Sequence, residues 1–110
     1  MAEATFVQDG NAINHTPVAD VAAGTVVVLG DLIGITRTPI KANSLGSLAV
    51  SGVFEFNKQA GLALAAGAIA FWNNTTKVAV ATDGSGANKR IGKVVVAAAA
   101  GDATVRIRLD

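Results

Sequence analysis

Residues 65–82 read AAGAIAFWNNTTKVAVAT, and this stretch decides the fold. Ile69, Phe71 and Asn73 alternate with Ala70 and Trp72, the only tryptophan, before Asn73-Asn74-Thr75-Thr76 supplies turn chemistry. Val78 and Val80 then alternate with Ala79 and Ala81. Period-two alternation on both sides of a turn predicts a β-hairpin. A small corner, Ala65-Ala66-Gly67, launches it. The same corner stands as Ala22-Ala23-Gly24 before TVVVLGDLIGIT and as Ala99-Ala100-Gly101 before DATVRIRL, so one device opens strands three times.

Outward from the hairpin the chain keeps this grammar. Residues 5–8 are expected to form a first short strand, turned by Asp9-Gly10-Asn11 into a second at 12–16 that stops at Pro17; together they make an N-terminal hairpin behind a short flexible arm at about residues 1–4. Residues 18–23 read as irregular or as one helical turn. Strands follow at 25–29 and 32–38, joined by Gly30-Asp31 and ended by Pro39, with a loop at 40–44. In LGSLAVSGVFEFNK, residues 45–58, Leu48, Val50, Gly52, Phe54 and Phe56 share one face of a central strand, and Gly52 reads as a bulge or tight bend. Residues 59–66 fit either strand or short helix, and 83–88 form a loop. Strands at 90–98 and 103–109 close the chain, the second with Val105, Ile107 and Leu109 opposite Thr104, Arg106 and Arg108. The prediction is all-β, a small β-barrel or β-sandwich of about eight or nine short strands with little helix, in a single domain spanning 1–110.

A chain of 110 residues buries about 65% of the surface its unfolded form exposes. Hydrophobic residues make up 51%, but alanine is the commonest type, and a buried alanine lacks the methylenes that contribute about 0.8 kcal/mol each in valine or leucine. A shallow core of this kind points to contacts between subunits as part of the stability. The net charge of +1 gives no strong field for nucleic acid. Without cysteine there is no disulfide framework, thiolate metal site or thiol nucleophile. The first ten residues lack the pattern of a secretory signal, and no apolar run approaches the ~20 residues of a membrane span.

The chemical motifs fail one by one. GSGANKRIGKV, residues 84–94, invites a phosphate-loop reading, but the glycine spacing is wrong, Val94 stands where a magnesium-binding hydroxyl belongs, and no long helix follows. His15 is the only histidine, which rules out a multi-histidine zinc site, and no Gly-x-Ser-x-Gly elbow accompanies it. Asp9, Asp20, Asp31, Asp83 and Asp102 sit at predicted turns and are read as acceptors for local backbone amides. No catalytic, cofactor or metal residue is assigned. Arg106 and Arg108 share a strand face with Lys89, Arg90 and Lys93 nearby, which is either a solvated face or a patch for acidic groups of a partner. Phe71 and Trp72 point to opposite faces, one as core and the other as second-layer core or interface anchor. Asn73-Asn74-Thr75-Thr76 holds glycosylation-type triplets that are read as turn residues.

Taken whole, FVQDGNAINHTPVADVAAGTVVVLGDLIGI, LGSLAVSGVFEFNK, AAGAIAFW and IGKVVVAAAAGDATVRIRL resemble a family of small tailed-bacteriophage capsid cement, or decoration, proteins over nearly the full length. The most specific parts are the F-x-Q-x-G opening, the V-x-G-V-F-E strand and the closing G-D-x-T-V-R-I-R-L. Some members of that family have carried a recombinase label, which this chain does not support: its phosphate loop fails and 110 residues cannot hold a recombinase ATPase core. The resemblance implies a structural, non-enzymatic β protein of the virion, made in the bacterial host cytoplasm. It would bind the outside of the head, tie major capsid protein subunits together, and act as a homo-oligomer, dimer or trimer, with no cofactor, nucleic acid or membrane partner. Thr5 and Phe6, within an arm at residues 2–6, together with Trp72, Arg106 and Arg108, are the candidate capsid or subunit contacts.

Two other classes compete. A β-sandwich module for a glycan or host-surface ligand calls for several aromatics in a groove, against 5% aromatic residues and no tyrosine here. A nucleotide-binding accessory protein or enzyme lacks every motif just tested.

Overall fold

The computed structural model describes residues 3–110, and it is a sandwich of two antiparallel sheets. The strands are β1 (Ala12–His15), β2 (Val26–Leu29), β3 (Leu32–Thr36), β4 (Gly46–Ala49), β5 (Val53–Asn57), β6 (Ile69–Asn73), β7 (Val78–Val80), β8 (Lys89–Val96) and β9 (Thr104–Leu109). A 3-10 turn at Gly84–Gly86 is the only helical element among the described residues. The first sheet has the order β1-β4-β3-β2 and the second β5-β9-β8-β6-β7. Of the two architectures expected, the sandwich is the one formed. The second sheet curls until Lys58, just past β5, bridges Ala79 of β7, without closing along its length.

The hairpin that organised the sequence reading is β6–β7, with Phe71 opposite Val80 and Trp72 opposite Ala79. Its turn closes through the Asn73 side chain, whose Oδ1 accepts from the Thr75 and Thr76 amides at 3.0 and 3.1 Å. Asparagine favours turns for this reason. No helix forms over residues 59–66. There the chain runs irregularly and pairs only at Leu64, which bridges Ala98.

Two expectations are corrected. Residues 5–8 form no strand, so the N-terminal hairpin is absent; β1 pairs instead with β4, Ile13 facing Leu48. A strand needs a partner edge as well as a pattern, and β4 supplies a better one for β1. The stretch LGSLAVSGVFEFNK is two strands in different sheets, because the chain bends at Gly52, where φ is +103°. Glycine reaches that region without steric cost.

The two sheets repeat one pattern. Taking β1–β4 as the first half and β5, β6, β8 and β9 as the second, each sheet has the spatial order first-fourth-third-second, with β7 added at one edge. Backbone bonds recur at matching places. Gly24 N donates to Thr36 O at 2.6 Å as Gly67 N does to Val94 O at 2.7 Å, and Val50 N donates to Asn11 O at 3.0 Å as Leu109 N does to Gly52 O at 2.9 Å. The Val21–Ile40 bridge of one half answers the Leu64–Ala98 bridge of the other. Two of the Ala-Ala-Gly corners thus launch corresponding strands, β2 and β6, with φ of +79° at Gly24 and +86° at Gly67.

The main core lies between the sheets, where Ile33 and Ile35 of β3 meet Phe56, Trp72, Ile91, Val94, Val105 and Ile107 of the second sheet. Side chains of this size each contribute about 1.5–3 kcal/mol on full burial. Trp72 packs on Phe56 with ring centroids 5.9 Å apart and donates its indole N–H to Asn74 Oδ1 at 3.2 Å.

Candidate functional site

The outward face of the second sheet carries the chain's most organised surface chemistry. In β9 Val105, Ile107 and Leu109 are buried, so strand alternation sends Arg106 and Arg108 to solvent, as the sequence reading expects. Register then sets their neighbours. Val53, Arg108, Lys93 and Ile69 lie in one row across β5, β9, β8 and β6, and Glu55, Arg106 and Val96 lie in the next. Apolar side chains flank a cationic centre: Val53 is 54% exposed, Ile69 41% and Val96 53%. A register shift between Val94 and Val96 breaks the alternation of β8 and leaves both Val95 and Val96 at the surface. Such bulges re-aim side chains.

Charge on this face is only partly answered. Arg106 Nε stands 3.8 Å from Glu55 Oε1, a loose pair of exposed groups. Among the described residues, Lys93 and Arg108 have no carboxylate within ion-pair distance. Arg90 holds Asp110 through two bonds of 3.0 and 2.7 Å. That hydrogen bonding keeps the Asp110 carboxyl below the usual carboxylate range, against the opposing effect of burial and with help from the charges of Arg90, Lys93 and Arg108. Lys89 reaches Asp31 at 2.9 Å and so ties the β2–β3 turn of one sheet to β8 of the other. The hydrogen bond and charge of Lys89 lower the Asp31 carboxyl in the same way.

The candidate contacts from the sequence fall in three places. Arg106 and Arg108 sit on the face just described. Thr5 and Phe6 lie in a segment outside both sheets, Phe6 being 80% and Val7 84% exposed. Trp72 is buried and lies at the floor of a cleft of about 220 Å³, between β2 and β5, that is also lined by Val26, Ile35 and Phe54. The structure brings no two of these groups together.

The residues read as bland behave so. Asp83 and Asp102 accept from the Ser85 and Ala99 amides at 3.2 and 2.8 Å, and Asp20 accepts from the more distant Ala42 amide at 2.8 Å. Asp31 departs from that reading because its partner is Lys89. The glycine-rich segment folds as a short 3-10 turn and enters β8, so it offers no helix N-terminus to a phosphate. Sequence reasoning missed Lys58, which is 5% exposed and caps carbonyl oxygens of Gln59 at 3.1 Å, Leu62, and Ala100 at 3.4 Å. No local pattern marks it, since Gln59 and Leu62 lie in an irregular stretch just after it and Ala100 comes from a distant turn.

Comparison with known proteins adds one match. A family model described as phage cement protein matches residues 7–109. No curated protein and no solved structure matches the chain.

Proposed function

Because the chain belongs to the phage cement protein family, we propose that it binds the outer surface of a tailed-phage head and ties neighbouring major capsid protein subunits together. The observation that carries this reading is the family match over nearly the whole chain. The family is structural, and the chain is read as a single non-enzymatic β domain of the virion, made in the host cytoplasm and acting as a dimer or trimer.

The mechanism is adhesion repeated over a lattice. The row of Val53, Arg108, Lys93 and Ile69 fits a contact of ordinary composition, with apolar flanks for burial and cations for acidic groups on the capsid. An oligomer that engages several subunits at once turns modest single contacts into strong attachment. Binding the expanded lattice more tightly than the precursor stabilises the expanded state by the difference in affinity.

Co-sedimentation with undecorated heads tests this. Saturable binding at fixed stoichiometry, stronger to expanded than to precursor particles and weakened by Arg108→Glu, is the expected result. Absence of binding to either particle contradicts it.

A further inference from the structure

Two strand edges flank the cleft between the sheets, and neither is paired along its length; β5 meets β7 only past its end, where Lys58 bridges Ala79. β2 ends the first sheet and β5 ends the second. Gly24 and Val26 line one wall, Phe54 to Asn57 the other, and Ile35 and Trp72 lie beneath. Open edges present unpaired backbone donors and acceptors, and natural proteins normally cover them. A cleft of about 220 Å³ falls below the range of about 300–1,000 Å³ typical of small-molecule sites. It suits one large side chain carried on a strand.

The same chain carries a segment that fits it. Residues 4–9, ATFVQD, carry no regular structure, belong to neither sheet, and expose Phe6 and Val7 almost fully. Laid down as a strand, the segment alternates its side chains, so Phe6 falls on one side with Ala4 and Gln8, while Thr5, Val7 and Asp9 fall on the other. We propose that this arm of one copy adds as a strand to the open edge of β5 in a second copy, seating Phe6 in the cleft over Val26, Ile35, Phe54 and Trp72. The opposite side of the arm then meets the outward face. In the antiparallel direction, with Phe6 beside Phe54, Val7 lies along Val53 and Asp9 falls next on the outward face, diagonal to the Val53–Arg108 pair. Arg108, which has no ion-pair partner among the described residues, gains one. The occupant is a second copy because the chain's own arm lies outside the cleft, with Phe6 80% exposed.

This concerns self-association of the free protein and is tested without heads, although it engages Val53 and Arg108 of the row proposed to meet the capsid. Sedimentation equilibrium across a concentration series, with hydrogen exchange at residues 53–57, tests it on the full chain. Association is expected, with exchange at 53–57 slowing as concentration rises. Phe6→Asp, at an exposed position outside the row proposed to meet the capsid, is expected to weaken association at least ~10-fold, as loss of an interface anchor does, while leaving the unfolding temperature of the dilute protein unchanged. A monomer at all concentrations, association indifferent to Phe6→Asp, or protection at 53–57 that does not vary with concentration overturns the proposal; the last result means the arm docks in its own chain.

Discussion

Leu48 and Ile107 occupy the same point in two copies of one four-stranded pattern. Each is fully buried. Each lies on the last strand of its half between the third and the first, Leu48 opposite Thr36 and Ile13, Ile107 opposite Val94 and Phe54. Truncation at either site removes buried methyl groups and leaves a cavity, so Leu48→Ala and Ile107→Ala are each expected to cost about 2–5 kcal/mol. Urea unfolding measures both. A loss below 1 kcal/mol at either would mean that its strand is not part of the cooperative core.

Glycines on the third strands keep those last strands close. A Cβ at Gly34 would come within 2.9 Å of Leu48 Cβ, whereas a Cβ at Gly92 would run into the backbone carbonyl of Arg108. The overlap at Gly34 is slight, whereas that at Gly92 is severe and falls on the backbone of a paired strand. Gly92→Ala is therefore expected to destabilise by about 3 kcal/mol or more and Gly34→Ala by less. Thermal unfolding of the two variants gives the order, and the reverse order would contradict this account of the packing.

Lys58 fastens the turns near residues 59–62 and 99–101 to the end of β5. Lys58→Met keeps the apolar stem but leaves carbonyl oxygens of Gln59, Leu62 and Ala100 without their donor, at an expected cost of about 1–3 kcal/mol. Hydrogen exchange should quicken first at Gly61 and Leu62, whose amides bond to carbonyls of Ala100 and Gln59. Uniform quickening across both sheets would show a global effect instead.

Acid should weaken the fold through Asp110 and Asp31, whose carboxyls are held below the usual range chiefly by hydrogen bonds from Arg90 and Lys89. A lowered carboxyl binds fewer protons folded than unfolded, so its contribution is present above the ordinary carboxylate range, near pH 4, and is lost as pH falls through the folded value. Both pairs are partly or largely exposed, so the effect is small and shrinks with salt. The melting temperature is expected to fall below about pH 4 less steeply in Asp110→Asn than in the parent chain. Equal slopes would remove Asp110 from the explanation.

Local pattern made much of this fold legible. Alternation placed the β6–β7 hairpin and the inward Val105, Ile107 and Leu109, because strand periodicity is a property of neighbouring residues. The failures are long-range. Residues 5–8 have a strand-like pattern but no edge beside them, and Gly52 divides an apparently continuous strand between two sheets. The repeat of the halves shows in sequence only as two Ala-Ala-Gly corners and the pairs Ile33-Gly34 and Ile91-Gly92, since hydrogen-bond positions rather than side chains are what recur. Of the candidate surface, Arg106 and Arg108 were visible from alternation, whereas Lys93, Val53, Ile69 and Val96 join them only through register.

The central claim is that the protein strengthens a phage head, and the stability of heads with and without it tests that claim most directly. Undecorated expanded heads are heated while genome release is followed by dye fluorescence, alone and after saturation with the purified protein. The account predicts release at a clearly higher temperature in decorated heads, with the gain reduced when Arg108→Glu replaces the parent protein. Identical release temperatures with the protein demonstrably bound would contradict it.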